Sequence, residues 1–112
     1  MEKVAGIDKV AVIGAGLMGY GIAVDFVRAG YDTWIYNTRE ESSRQAMARA
    51  RKALDLFVEE GLMSREEGEV AYGLLHPTTR LEEAAEGADY VSESVLESLS
   101  LKRKVFAELD RL

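Results

Sequence analysis

The sequence contains no cysteine. That removes disulfides, thiolate metal sites and a cysteine nucleophile at once, and it fits a reducing compartment. Histidine and proline occur once each. His76 with scattered carboxylates offers no ligand cluster, so no metal site is expected. Positive charge is also short. Fourteen Lys and Arg against twenty Asp and Glu leave a net charge of −6. Such a chain repels phosphate backbones and anionic lipid, so neither nucleic acid nor a membrane surface is an expected partner. Long apolar runs are missing too. The longest uncharged stretch, Val10 to Val24, has 15 residues and is interrupted by Gly14, Gly16, Gly19 and Gly21. A spanning helix needs about 20 apolar residues. Glu2 and Asp8 break the basic flank that a signal peptide requires. A cytoplasmic location is the expectation.

What is present is an α/β alternation within 112 residues, the size of one domain, 1–112. Val10-Ala-Val-Ile13 is a short apolar, β-branched run of the kind buried on both faces of a parallel sheet. A helix is expected from Leu17 to Ala29, capped by Gly30, and a second strand over Thr33–Tyr36. Thr38 with Glu41 has the spacing of a capping box, opening a long helix to about Glu60. Ala46, Ala50, Ala53, Leu54, Phe57 and Val58 lie on one face of that helix. Ser64 with Glu67 opens a shorter helix to about Tyr72, so the two form a hairpin closed at Gly61. Leu74–Thr78 reads as an edge strand, because Pro77 cannot donate to a ladder. Thr79 with Glu82 marks a third box, for a short helix ended by Gly87. Asp89–Ser92 is a fourth strand, and Ser100–Leu112 a last amphipathic helix. The order favours a parallel sheet with right-handed crossovers.

The chemistry concentrates in Gly14-Ala-Gly16-Leu-Met-Gly19, which leaves a strand and enters a helix. Gly14 permits the tight turn. Gly16, without a Cβ, lets a pyrophosphate approach the main chain, and Gly19 lets the helix pack on the sheet. The helix start offers free amides and a positive dipole end, so no side-chain cation is needed. No Gly-Lys-Ser/Thr follows, which excludes a P-loop. At the end of the second strand, where an acidic residue normally holds the adenosine ribose, stand Asn37, Thr38 and Arg39. An amide accepts from a ribose hydroxyl without repelling a 2′-phosphate, and Arg39 is placed to contact one. On these residues the cofactor is NAD, with NADP left open.

Four segments then resemble the NAD-binding domain of L-3-hydroxyacyl-CoA dehydrogenases: Val10–Ala23, Pro77–Glu82, Ala88–Glu93 and Glu97–Phe106. The hairpin between the second and third strands is similar as well. The resemblance spans nearly the whole chain. It implies a Rossmann-like three-layer α/β domain with parallel strands in the order 3-2-1-4. It implies that the Gly14–Gly19 turn, Leu17 and Met18 included, holds the pyrophosphate. Asn37 stands where the family usually has Asp, and Glu97 and Lys102 match positions that contact the nicotinamide half. Glu93 closes the fourth strand, at the end of the sheet where such folds place ligands. The resemblance also implies an oxidoreductase of fatty acid metabolism that moves a hydride between nicotinamide and a 3-hydroxyacyl group.

The departures are equally informative. Where the family's long helix offers a hydroxyl and a basic residue to acyl-CoA, this chain has Ala53 and Glu60. The family's catalytic histidine and its partners belong to a C-terminal domain beyond Leu112. No catalytic residue is therefore assigned, His76 is read as structural, and Tyr20, Tyr31 and Tyr36 are assigned to packing or surface. The chain alone is expected to bind nucleotide without turnover, its partner being a catalytic domain or second subunit. A free-standing dinucleotide-binding or sensing module, or a piece that has lost cofactor binding, are the competing readings. A fourth strand left with an open, apolar-flanked edge is a pairing hazard, so a homodimer is expected.

Overall fold

The computed structural model describes residues 6–14 and 17–93. The expected helix over 100–112 lies outside the described residues. Four strands form one parallel sheet: β1 (Lys9–Ile13), β2 (Asp32–Tyr36), β3 (Leu75–Thr78) and β4 (Tyr90–Glu93), in the order β3-β2-β1-β4. Between them run α1 (Leu17–Arg28), α2 (Glu40–Glu59), α3 (Arg65–Gly73) and α4 (Leu81–Ala85).

β1 is central, with helices on both faces of the sheet. Its residues Val10 to Ile13 are completely buried. Successive side chains of a strand point to opposite faces, so an uninterrupted apolar run requires cover on both. Val10 and Val12 join Val24, Val27, Ile35, Ala46, Ala50, Leu54 and Leu75 in the larger core beneath α1, α2 and α3. Ala11 and Ile13 meet Leu81 and Ala84 of α4 on the other face. β2 alternates accordingly: Thr33 and Ile35 are buried, whereas Asp32, Trp34 and Tyr36 are half-buried.

The stripe expected on α2 is present, with Ala46, Ala50 and Leu54 buried and Ala53 and Phe57 packed against the same core. Ser43 shares this buried face. α2 ends at Gly61 (φ +76°), where Gly61 N–H donates to Val58 O and Leu62 N–H to Phe57 O. This paired closure reverses the chain and sets α3 against α2; α1 ends the same way at Gly30.

Of the three capping boxes, one forms. The Ser64 hydroxyl accepts from Glu67 N–H at 3.0 Å, and Glu67 accepts from Ser64 N–H at 2.8 Å. The boxes expected at Thr38/Glu41 and Thr79/Glu82 do not form. α2 and α4 begin one residue later than those boxes require, with Arg39 and Arg80 in the N-cap positions and no side-chain cap. In both cases the arginine engages the glutamate that the box needed: Arg39–Glu41 at 3.8 Å and Arg80–Glu82 at 3.0 Å.

Candidate functional site at the carboxyl edge of the sheet

The register brings the four strand ends into one row. Ile13 pairs with Tyr36 on one side and Glu93 on the other, and Tyr36 pairs with Thr78. The residues that follow β1, β2 and β3 therefore emerge side by side, about 4.8 Å apart. Gly14 leaves β1 with φ +89°, a conformation that side chains with a Cβ rarely adopt. Its N–H donates to Tyr36 O at 2.8 Å, so the turn is tied to the last residue of β2. Asn37 comes next; it is buried, and its N–H donates to Thr78 O at 3.1 Å. Arg39 has a largely exposed side chain at the start of α2.

α1 starts at Leu17, with Met18 and Gly19 in its first turn and no acidic residue there. A helix N-terminus with free amides and no carboxylate suits an anion. Gly16, Glu97 and Lys102 lie outside the described residues. Glu93 ends β4, in the same row as Gly14. Gly14, Asn37, Arg39 and Glu93 are thus brought to one edge. The residues present fit a dinucleotide: a glycine turn stapled to the neighbouring strand, then a helix whose first turn has no carboxylate.

His76 is elsewhere. Its Nε2 lies 2.5 Å from Asp32 Oδ1, and its ring stacks on Trp34 with centroids 4.8 Å apart. Asp32 opens β2 at the opposite end of the strand from Asn37. Tyr31 is buried in the main core and Tyr20 packs at its margin, whereas Tyr36 packs against the smaller cluster on the other face of the sheet.

The carboxylates whose acidity the fold shifts are structural. Asp89 accepts from Asp8 N–H (2.9 Å) and Lys9 N–H (3.1 Å), which holds it below the ordinary carboxylate range. Glu67 is lowered by the Ser64 backbone N–H and then the Ser64 hydroxyl. Glu69 is lowered chiefly by its hydrogen bond to Arg51.

Beside Asn37 a cleft of about 630 Å³ opens between the first two turns of α2 and the chain following β3. Ser43, Arg44, Thr78 and Thr79 line it. In the sequence none of the four belongs to a ligand-binding motif. The available signal was Ser43, a hydroxyl on the otherwise apolar stripe of α2.

Comparison with known proteins agrees with this geometry. Residues 9–112 match the model of the 3-hydroxyacyl-CoA dehydrogenase NAD-binding domain. A 3-hydroxybutyryl-CoA dehydrogenase of Mycobacterium tuberculosis is 37% identical over 106 residues, covering 95% of this chain and 37% of the relative. The glyoxysomal fatty acid beta-oxidation multifunctional protein MFP-a of Brassica napus is 35% identical over 105 residues, covering 94% of this chain and 14% of the relative. The crystal structure of M. tuberculosis FadB2 superposes with a TM-score of 0.89 at 37% identity, covering 94% of this chain and 36% of that one. The chain thus spans well under half the length of these relatives. By its fold, its glycine turn and this match over nearly all its length, the chain belongs to the family of NAD-binding domains of 3-hydroxyacyl-CoA dehydrogenases.

Proposed function

We propose that this domain holds NAD, and accepts NADP, for a dehydrogenase that interconverts a 3-hydroxyacyl thioester and its 3-keto form. The observation that carries the reading is the exit of β1: a strand buried from Val10 to Ile13 ends at left-handed Gly14, stapled to β2 and followed by a helix with no acid in its first turn. When bound, the nicotinamide supplies the hydride chemistry. The chain's own residues supply position. The Gly14–Gly19 turn receives the diphosphate through the main-chain amides that follow Gly14, those of Gly16, Leu17, Met18 and Gly19, the Gly14 N–H itself being held by Tyr36 O. Asn37 accepts from the adenosine ribose, and Arg39 stands ready for a 2′-phosphate. Glu97 and Lys102 are assigned to the nicotinamide end, and Glu93 closes the same edge of the sheet.

The catalytic residues belong to a C-terminal domain or second subunit, a reading supported by the partial coverage of every relative described above. Ala53 and Glu60 make the acyl-CoA contact on α2 differ from the family's. A homodimer is part of the proposal, because Tyr90 and Val91 of β4 are 48% and 41% exposed at the end of the strand order. Light scattering at high concentration should show two copies, and a strictly monomeric profile would reject that part. A cytoplasmic location accompanies the reading; no described helix is long and apolar enough to cross a membrane.

The test is a titration of the 112-residue chain with NADH, followed by nicotinamide fluorescence, and an assay of the same chain with acetoacetyl-CoA. Saturable one-to-one binding without turnover is expected. Absence of binding would refute the cofactor assignment, and turnover would refute the placement of the catalytic residues elsewhere.

A further inference from the structure

The sheet serves as a ruler across this edge. The diphosphate turn follows β1 and the ribose residue follows β2. One strand spacing further, about 4.8 Å, lies the end of β3. A substituent on the ribose 2′-oxygen that points away from the diphosphate therefore enters the space beside Thr78 and Thr79. The cleft of about 630 Å³ is there.

Three features of the cleft fit a phosphomonoester. Arg44 lines it, exposed and with no ion pair among the described residues. The amino end of the twenty-residue helix α2 adjoins it, and no side chain caps that end. A dianion there meets the positive end of the helix dipole, opposed by the exposed first-turn carboxylates Glu40 and Glu41. Ser43 also lines the cleft at 6% exposure, and its Oγ finds no hydrogen-bond partner among the described residues. A buried hydroxyl left without a partner is costly, and a bound phosphate oxygen would satisfy it. Two carboxylates, Glu40 and Glu83, also line the cleft, both exposed to solvent. Arg80 is already engaged by Glu82 at 3.0 Å.

We infer that this cleft is the subsite for the 2′-phosphate of NADP, with Arg44 as its specificity-determining residue and Ser43 as a second donor. The inference rests on the dinucleotide reading above and adds a residue and a direction to it. Arg44, five residues past Arg39, lines the cleft and supplies the fork that binds a phosphate through two parallel hydrogen bonds.

The test uses the wild-type chain and the variants Arg44→Gln and Ser43→Ala, each titrated calorimetrically with NADPH and with NADH. Adenosine 2′,5′-bisphosphate and adenosine 5′-monophosphate serve as shorter probes. Arg44→Gln should weaken NADPH and the bisphosphate about tenfold while leaving NADH and the monophosphate unchanged. Ser43→Ala should show the same selectivity, with about threefold loss. Arg44 is exposed, so an unaltered thermal melt is expected for that variant. If NADH binds but NADPH does not, or if Arg44→Gln weakens both cofactors equally or neither, the subsite is wrong and the dinucleotide reading survives. If neither cofactor binds wild type, the dinucleotide reading itself has failed.

Discussion

Replacing Asn37 by Asp restores the carboxylate that usually meets the ribose at this position. The perturbation is well defined, because Asn37 is 7% exposed and its main chain is held by Thr78 O at 3.1 Å. A carboxylate about 4 Å from a 2′-phosphate charge, at an effective dielectric of about 20, costs about 4 kcal/mol. That corresponds to roughly a thousandfold loss of NADPH affinity. NADH carries no such charge, and its ribose hydroxyls can donate to a carboxylate in bonds stronger than those to an amide. NADH affinity should therefore hold or rise. Calorimetric titration of both cofactors against wild type and Asn37→Asp measures the ratio directly, with a thermal melt to confirm folding. The reasoning is refuted if the NADH-to-NADPH affinity ratio moves by less than about tenfold.

Other perturbations test the scaffold. Leu54→Ala removes a 1% exposed side chain from the core between α2 and the sheet. It should cost about 3 kcal/mol in urea unfolding; a loss below about 1 kcal/mol would mean that α2 does not pack there. Ser64→Ala should cost about 1 kcal/mol through its lost cap, whereas Thr38→Ala and Thr79→Ala should each stay within about 0.5 kcal/mol. Equal costs at all three would contradict the assigned helix starts. Asp89 has a lowered folded pKa, so its contribution is present above the ordinary carboxylate pKa and is lost as pH falls through the lower folded value. Asp89→Asn should therefore melt lower than wild type at neutral pH and converge with it in acid; parallel curves down to pH 2 would reject the assignment.

What the sequence made legible follows from how strongly each segment is constrained. β1 was readable because four apolar residues in a row, cut off by glycine, suit only a strand covered on both faces. The order β3-β2-β1-β4 followed from the alternation and the family resemblance together. Helix starts were less legible. Thr38 and Thr79 have the same spacing to a glutamate as Ser64, yet each precedes an arginine that takes the cap position and draws the glutamate to itself. A spacing rule does not contain that competition between an ion pair and a main-chain hydrogen bond. The row formed by Gly14 and Asn37 was legible because the glycine motif and the second strand's end are local features. The cleft beside it was not, since it joins Arg44 to Thr78 and Thr79 across 34 and 35 positions in the chain. Only the pairing of β2 with β3 brings those residues together.

The central claim is that main-chain amides leaving β1 receive the diphosphate. Amide hydrogen exchange on the chain, with and without saturating NADH, reads those amides one by one. Slowed exchange is expected from Gly16 through Gly19, whereas Gly14 and Asn37, already held by Tyr36 O and Thr78 O, should change little. Binding that leaves this stretch unprotected, while protecting amides at the amino end of the sheet, would contradict it.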